Sequence, residues 1–231
     1  MSKNILGVIL ARGNSKGIKN KNLLKLKNQT LIEIAINNAK KSKKLSRILF
    51  SSDSERLIKI ARKKIHVNFK RPRFLATDKS STFDVIRHAV NWLEKNEDWK
   101  TDIAVVLQPT TPFRKAKHID RVIDLLLKNK CDAAMTICET DYPAYWMLRR
   151  KNKNSLNFLI KKGKNFIRRQ DIPKIYQPAG MVYALKKDFL FKIKGILPQK
   201  RTLGYLVSRD EALNIDMMSQ YELAKIKYKK H

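Results

Sequence analysis

Residues that could hold a polyphosphate are concentrated in a basic loop near the start of the chain. Six apolar residues, Ile5 to Leu10, run without a charge and are typical of a short strand buried on both faces. The loop that follows supplies cations, a hydroxyl and a glycine: Arg12, Gly13, Ser15, Lys16 and Lys21. Glycines admit φ > 0 and a close approach of backbone N–H groups to a ligand, and Arg, Lys and Ser add strong donors. The pattern favours phosphate binding over a solvated basic turn, although it is neither a Walker A loop nor Gly-x-Gly-x-x-Gly.

Two further polar segments lie where predicted elements begin or end. Arg71 follows an apolar segment, and the hydroxyls of Ser80 and Thr82 precede a predicted helix whose first N–H groups can hold an anion. The segment Gln108 to Arg114 follows a strand predicted over 102–107, and its two prolines rigidify it. An ordinary helix cap and a rigid turn are the alternatives. The carboxyl ends of parallel strands are where α/β proteins place nucleotides, so these segments are candidate ligand contacts.

The elements that must position these residues alternate between strands and helices. Strands are predicted over residues 5–10, 47–51, 66–69, 102–107, 132–137, 177–183 and 204–207. Helices are predicted over residues 31–39, 54–64, 83–94, 116–128 and 187–192, with one more closing the chain. This alternation favours helical crossovers on a mostly parallel sheet. A chain of 231 residues is long enough for one large α/β domain with a full core.

Composition limits the partners and the compartment. The formal net charge of +31 would suit a polyanion, but the lysines are spread along the whole chain. We therefore attribute the total charge to compositional bias, and nucleic acid is not an expected partner. Cys131 and Cys138 form no metal or redox motif, which predicts a reduced, cytoplasmic protein. No segment resembles a signal peptide or a membrane span, so no membrane is expected as a partner.

Residues 138–178 interrupt the strand and helix pattern. Aromatic residues alternate there with polar ones: Tyr142, Tyr145, Trp146, Phe158 and Phe166. This alternation predicts an inserted arm of hairpins. Exposed aromatic side chains on an extended arm need a surface to pack against, and a partner protomer would supply one.

Three motifs together resemble the acylneuraminate cytidylyltransferases. They are Leu10-Ala-Arg-Gly-Asn-Ser-Lys-Gly-Ile-Lys-Asn-Lys-Asn22, the Arg-Pro…Leu-Ala-x-Asp pattern from Arg71, and Leu107-Gln-Pro-Thr-Thr-Pro-Phe-Arg114. The resemblance extends over nearly the whole chain. It implies a Rossmann-like, mostly parallel sheet flanked by helices, of the nucleotide-diphospho-sugar transferase type, with an inserted dimerisation arm. Residues 1–231 would form a single nucleotidyltransferase domain.

The resemblance also implies an activity and roles for particular residues. The reaction would transfer CMP from CTP to the anomeric hydroxyl of a 2-keto sugar acid and release pyrophosphate. Arg12, Lys16 and Lys21 would act on the triphosphate as catalytic cations. The nucleotide would be bound by Arg12, Gly13, Ser15, Lys16, Asn22, Arg71, Ser80 and Thr82. The sugar acid would contact Gln108, Thr110, Tyr183 and, from the arm of the partner in a homodimer, Arg169.

The sequence departs from the family at three positions. The Asp-Ile-Asp metal motif reads Asn214-Ile215-Asp216, which predicts Mg²⁺ binding through Asp216 with help from Asn214. Ala179 and Tyr145 replace an Asn and a Lys that contact the sugar in relatives. The sugar acid therefore stays open between sialic acid, Kdo, legionaminic acid and pseudaminic acid. A non-catalytic protein that binds polyanions on the same fold is the alternative from another class.

Overall fold

A computed structural model of the chain describes residues 3–195 and 197–229. The strands in chain order are β1 (Ile5–Leu10), β2 (Lys25–Leu26), β3 (Gln29–Thr30), β4 (Arg47–Ser51), β5 (Ile103–Leu107), β6 (Ala133–Glu139), β7 (Leu148–Arg150), β8 (Leu156–Phe158), β9 (Tyr176–Lys186) and β10 (Thr202–Leu206). The helices are α1 (Leu31–Lys40), α2 (Glu55–Arg62), α3 (Thr82–Glu97), α4 (Ala116–Lys128), α5 (Lys187–Lys192) and α6 (Met218–Lys229). Short 3-10 turns lie at Lys21–Leu23, Arg73–Leu75, Ala144–Trp146, Lys161–Asn165 and Arg169–Asp171.

Six strands form the central sheet in the order β10-β6-β9-β5-β1-β4. Strand β1 pairs in parallel with β4 and with β5, and β10 pairs in parallel with β6. Strand β9 runs antiparallel between β5 and β6. The predicted α/β class with a mostly parallel sheet is confirmed, and the reversed strand β9 is a feature that the sequence pattern did not reveal.

Two apolar cores cover the two faces of the sheet. Ile5 and Ile9 of β1 face the core that contains α1, α2 and α4. Leu6 and Val8 face the other core, which contains α3 and α5. Side chains alternate across a strand, so one uninterrupted apolar strand supplies both cores. Among the described residues, no helix is long and apolar enough to cross a membrane.

One predicted strand is wrong. No sheet contains His66–Phe69, and β4 is the edge of the central sheet. Val67 packs into the first of the two cores and Phe69 into the second. The alternation that predicted a strand therefore reflects packing of a loop beyond the sheet edge, without backbone pairing to β4.

The predicted arm is an insert between the neighbouring strands β6 and β9. Cys138 pairs with Gln177 and Glu139 with Tyr176, so the insert itself spans residues 140–175 and the outer residues of the predicted range belong to the sheet. It contains one hairpin, β7 with β8. Trp146 Nε1 donates to the oxygen of Phe166 at 3.0 Å, which fastens the turns around the hairpin.

The insert exposes large apolar side chains to solvent. The exposed fractions are 78% for Tyr142, 52% for Leu148, 58% for Leu156 and 90% for Ile167. Soluble monomers rarely expose large contiguous apolar patches, and those that they do expose are often binding surfaces. These exposed apolar side chains are compatible with a partner surface, and the dimerisation role stays a prediction.

Candidate active site

Two glycines allow the loop after β1 to pack closely against other segments. The N–H of Gly13 donates to Asp53 Oδ1 at 2.9 Å, and a Cβ on Gly13 would lie 2.9 Å from the Cβ of Ser54. A Cβ on Gly17 would lie 2.4 Å from the backbone oxygen of Asp216. Neither glycine has a positive φ, so close approach is what requires them. Gly13, predicted to bind the nucleotide, thus donates its N–H within the protein.

A cavity of about 470 Å³ opens between this loop, the segment before α3 and the exit of β5. We call it the first cavity. Its wall includes seven of the eight predicted nucleotide ligands: Arg12, Ser15, Lys16, Asn22, Arg71, Ser80 and Thr82. Lys21, Gln108, Thr110 and Asp216 line it as well. Segments that are far apart in the sequence are therefore brought to one site.

Three cations of the first cavity contact two carboxylates. Arg12 Nη1 lies 2.6 Å from Asp78 Oδ1, and Lys16 Nζ lies 2.8 Å from Asp78 Oδ2. Lys21 Nζ lies 2.7 Å from Asp216 Oδ1. The hydrogen bonds from Lys16 and Arg12 hold the pKa of the Asp78 carboxyl below its usual value. Because both carboxylates are about half exposed, these ion pairs are weak. A phosphate group of higher charge could therefore replace the carboxylates as the partner of the cations.

Arg71 is a buried cation of the site. Its Nε donates to Ser51 Oγ at 3.0 Å, and its Nη2 donates to the Ser51 oxygen at 2.6 Å. Burial lowers the pKa of Arg71 to about 10, against the opposing effect of Asp53. The guanidinium is therefore charged at neutral pH and is fixed at the carboxyl end of β4.

Asn22 positions Arg12. The Nδ2 of Asn22 donates to the backbone oxygen of Arg12 at 3.1 Å, and Asn22 is buried. The 3-10 turn that contains Asn22 begins after Asn20, which has φ 56°. Asn tolerates this left-handed conformation better than most residues, so the sequence Asn20-Lys-Asn22 suits the turn.

The exit loop of β5 is held by a buried arginine. Arg114 is 1% exposed. Its Nη1 lies 2.7 Å from the Gln108 oxygen, 3.0 Å from Thr111 Oγ1 and 3.1 Å from the Met181 oxygen. Burial lowers the pKa of Arg114 to about 9, so the side chain stays charged at neutral pH. Its contacts fix the loop against β9 and thereby fix Gln108 at the cavity.

A second cavity, of about 650 Å³, adjoins the first. Gln108 and Thr82 line both cavities, and Tyr183 lines only the second. Burial raises the pKa of Tyr183, so its phenol is neutral at physiological pH. Of the three predicted sugar contacts outside the arm, Gln108 and Tyr183 share the second cavity, whereas Thr110 lies on the first.

Asp216 and Asn214 are adjacent but are not equally accessible from the first cavity. Asn214 Nδ2 donates to Asp216 Oδ2 at 2.5 Å, while Asn214 Oδ1 is buried without a hydrogen-bond partner. The N–H of Ile215 donates to the Thr110 oxygen at 2.8 Å, which anchors the segment. Among the described residues, no group of three or more His, Cys, Asp or Glu could hold a metal ion. Asp216 is a carboxylate on the cavity wall, which is the kind of ligand that Mg²⁺ prefers, and its two oxygens contact Lys21 and Asn214 in the structure.

Arg169 lies outside both cavities of its own chain. Its side chain is exposed in the insert, and Nη2 donates to the Asp141 oxygen at 3.1 Å. The neighbouring Arg168 pairs with Asp171. The predicted carboxylate contact of Arg169 is therefore not made within one protomer.

Three residues of the site were not predicted from the sequence. Asp78 contacts two of the cations, Arg114 holds the exit loop, and Arg87 fastens a wall of the second cavity. Asp78 ends one of the recognised motifs, and an acid within such a basic chain was the available signal. Nothing in the sequence marked Arg87, because the two backbone oxygens to which it donates are more than a hundred residues away.

A profile of the family described as Cytidylyltransferase matches residues 6–229. This chain belongs to the cytidylyltransferase family. It is 30% identical to the Post-translational flagellin modification protein B of Campylobacter coli, over 95% of this chain and 92% of that protein. It is 29% identical to the N-acylneuraminate cytidylyltransferase of Escherichia coli, over 97% of this chain but about half (52%) of that protein's length.

A solved structure confirms the cytidylyltransferase fold. The CMP:2-keto-3-deoxy-manno-octonic acid synthetase complexed with CTP aligns with a TM-score of 0.72 and 14% identity, over 99% of each chain. The likeness at this identity concerns the fold alone. The family resemblance predicted from the three motifs is confirmed by the match over residues 6–229.

Proposed function

We propose that this cytidylyltransferase transfers CMP from CTP to the anomeric hydroxyl of a nonulosonic 2-keto sugar acid. The hydroxyl oxygen attacks the α-phosphorus, and a new P–O bond forms. The bond from that phosphorus to the bridging oxygen of the β-phosphate breaks, and pyrophosphate leaves with the electron pair. The hydroxyl proton passes to water, so the products are the CMP-sugar acid and pyrophosphate.

The observation that carries this proposal is the junction of a cationic cavity with a second cavity at Gln108 and Thr82. A triphosphate in the first cavity and a sugar acid in the second would meet at this junction. Reactions at phosphorus need little covalent chemistry from a protein and depend on positioning and charge neutralisation. The arrangement of the two cavities supports a transfer between two substrates. Simple polyanion binding would not explain the second cavity.

The cations of the first cavity would act on the triphosphate. Arg12 and Lys16 would exchange the carboxylate of Asp78 for phosphate oxygens. Lys21 is 16% exposed, lines the same cavity and contacts Asp216, so it would act on the triphosphate beside that carboxylate. Such preorganised donors act most strongly where negative charge develops in the transition state.

We also propose that the reaction uses Mg²⁺. When bound, this ion would neutralise part of the negative charge of the triphosphate. Asp216 would hold it, since this carboxylate lines the first cavity and stays 55% exposed. Asn214 would orient Asp216 through its amide N–H group.

The sugar acid would occupy the second cavity, with Gln108 and Tyr183 as contacts. Of the two described cations that line this cavity, Arg87 is paired with Asp84 and Lys194 is a point charge, whereas a free guanidinium can bind a carboxylate by a bidentate contact. We assign this role to Arg169 of the partner in a homodimer, because Arg169 is exposed on the insert and its own chain keeps it outside both cavities.

The test is an assay of CTP-dependent pyrophosphate release across a panel of sugar acids. The panel contains N-acetylneuraminic, legionaminic, pseudaminic and Kdo substrates, with ATP, GTP and UTP as nucleotide controls. We expect release with CTP and at least one nonulosonic acid. Pyrophosphate release with Kdo alone would identify Kdo, the smaller acid, as the substrate. No release with any sugar acid, together with salt-dependent retention on RNA or DNA, would favour the polyanion-binding alternative.

A further inference from the structure

A third cavity, of about 650 Å³, opens on another part of the chain. Its walls come from the hairpin of β2 and β3, the end of α1, the loop before α4 and the end of α6. Among the described residues, none that lines it also lines the first or the second cavity. Four cations line it: Lys27, Lys41, Arg114 and Lys115. No Asp or Glu of the described chain lines it, whereas each of the other two cavities has at least one carboxylate.

The three lysines of the third cavity make no ion pair within the part of the chain that the structure describes. Lys27 Nζ lies 6.0 Å from the centre of the Tyr228 ring, and Lys41 and Lys115 are exposed. Lys44, close to Lys41 in the sequence, instead pairs with a carboxylate at 2.8 Å. The lysines of this cavity are therefore available to an anion from solution.

Arg114 adds a buried charge to the same wall. Its Nη1 donates to two backbone oxygens and one hydroxyl, and its Nε is buried without a hydrogen-bond partner. Burial lowers the pKa of Arg114 to about 9, and no nearby carboxylate opposes this shift. A buried charge without a counter-charge is unfavourable, so an anion close to this wall would stabilise it.

Helix α4 begins at the third cavity with residues that oppose its dipole. Lys115 is the N-cap residue, and the first turn contains no acid. Glu211 contacts Lys117 and His118 of that turn, but it does not line the cavity. Negative charge is favoured at the N-terminus of a helix, so a bound anion would supply what the sequence of α4 lacks.

Lys27 occupies a turn position that lysine disfavours. It is the first of the two residues that join β2 to β3, and its φ is 51°. Glycine and asparagine adopt a positive φ in such turns most readily. A residue that is kept in an unfavourable conformation is a candidate for a function of its side chain.

We propose that the third cavity is a second anion site, which binds the phosphate group of a small phosphorylated molecule. A phosphate monoester has close to two negative charges and three acceptor oxygens, so it suits several converging cations. Lys27, Lys41 and Lys115 would contact these oxygens. The exit loop of β5 lines the first cavity with residues 108–110 and the third with residues 112–115. The occupant would therefore contact the loop that carries Gln108, although transfer of CMP does not itself require this site.

Calorimetric titration of pyrophosphate into the full chain tests the site. CTP at saturation keeps the first cavity filled, and sugar acid and divalent ions are left out. We expect saturable binding, and we expect Lys41→Gln and Lys115→Gln each to raise the Kd by about threefold or more, as for the loss of one ion pair. Lys43→Gln is the matched control, because Lys43 is exposed and does not line the cavity, and it should leave the Kd unchanged.

The source of the phosphate is tested by titrating orthophosphate and CMP in the same way. Binding of any of these probes that weakens only in the cavity variants would support the site. No binding of any probe, or equal weakening by Lys43→Gln, would overturn the inference. Failure of CTP to bind would instead count against the proposed function, and the cavity variants would still report on the third cavity, because neither residue lines the first.

Lys27→Gly separates binding from structure. Glycine adopts a positive φ without strain, so we expect the Tm of this variant to be equal or higher. The loss of the cation should nevertheless raise the Kd for pyrophosphate by about threefold or more. An unchanged Kd would show that Lys27 is only a turn residue and would contradict its assignment to the anion site.

Discussion

A single carboxylate, that of Asp78, contacts both Arg12 and Lys16 and so competes with phosphate for them. Each of these solvent-exposed pairs is weak, because water and salt screen the two charges. Removing the charge should therefore help the triphosphate to bind. We expect Asp78→Asn to lower KM for CTP by roughly two- to tenfold, with kcat little changed, in steady-state kinetics at low salt. A higher KM would mean that Asp78 orients the two cations instead of competing for them.

The same two cations should differ in their effect on turnover. Arg12 is 33% exposed and Lys16 is 78% exposed, so Arg12 has the more desolvated charge. We expect Arg12→Ala to reduce kcat/KM for CTP by roughly 2–4 kcal/mol, as for the loss of one electrostatic donor, and Lys16→Ala to reduce it less. Lys19→Ala, exposed in the same loop, is the control. Near wild-type turnover of Arg12→Ala at low CTP would show that this loop does not bind the nucleotide.

The metal prediction concerns Asp216 and Asn214. We expect Asp216→Ala to abolish activity, because this carboxylate is the one we assign to the ion. Asn214→Asp should lower the Mg²⁺ concentration at half-maximal rate, because a second carboxylate adds negative charge beside the first. A Mg²⁺ titration of each variant measures this, with Asn214→Ala as the neutral control. An unchanged midpoint for Asn214→Asp would place residue 214 outside the coordination of the ion.

Single residues could be assigned from the sequence where a motif marked them. Arg12, Lys16 and Asn22 stand in one recognised loop, and the structure gathers them in one cavity. Arg114 lies in a recognised motif, but its burial does not follow from the sequence, because an arginine is almost never buried unless acceptors surround it. Its acceptors include the backbone oxygen of Met181, which only the packing of β9 brings near.

At the scale of elements, the first turn of α4 contains a buried histidine, His118. The N–H of Lys115 donates to His118 Nδ1 at 3.1 Å, and His118 Nε2 lies 3.3 Å from Glu211 Oε1. Burial lowers the pKa of His118, while Glu211 opposes this shift. The ring is thus neutral in the folded chain at a pH where the unfolded chain takes up a proton.

The sign of the pH effect follows from this difference. An unfolded histidine titrates near pH 6.5, so unfolding takes up a proton below about that pH. The folded state therefore becomes less stable as the pH decreases. We expect a lower Tm at pH 5.5 than at pH 7.5, with a slope of at most about 1.4 kcal/mol per pH unit for one proton. His118→Gln keeps an acceptor for the helix start and cannot titrate, so it should flatten this dependence. An unchanged dependence would assign the effect to other groups, such as His88, whose pKa burial also lowers.

Elements were predictable where local pattern decides them. Helix α4 and helix α5 have the predicted bounds, because apolar spacing and polar flanks agree there. His66–Phe69 and the direction of β9 depend on neighbours that are distant in the chain. An apolar residue at every second position, such as Val67 and Phe69, indicates that these side chains are buried, and it does not show which strand, if any, supplies the hydrogen bonds.

At the scale of the whole molecule, the insert with its exposed apolar side chains predicts a homodimer with shared sites. Arg12→Ala would inactivate the triphosphate cavity of its own chain. Arg169→Ala would remove the sugar contact that the chain gives to its partner. Mixed dimers would then contain one intact site, so mixing the two inactive proteins should restore about a quarter of the wild-type activity. Sedimentation velocity gives the oligomeric state, and each variant mixed with itself is the control. A monomer, or no restored activity, would contradict the shared site.

The insert leaves the sheet and returns to it at adjacent backbone positions. The N–H of Thr140 donates to the Ile175 oxygen at 3.0 Å, directly beyond the last paired residues of β6 and β9. Loop-closure entropy grows only slowly with loop length, so a segment with such closely paired ends can be lengthened, shortened or replaced at little cost to the core. Residues 140–175 can therefore be replaced as one segment. Such a replacement would change the partner surface and the assigned sugar contact together, while the nucleotide loops stay as they are.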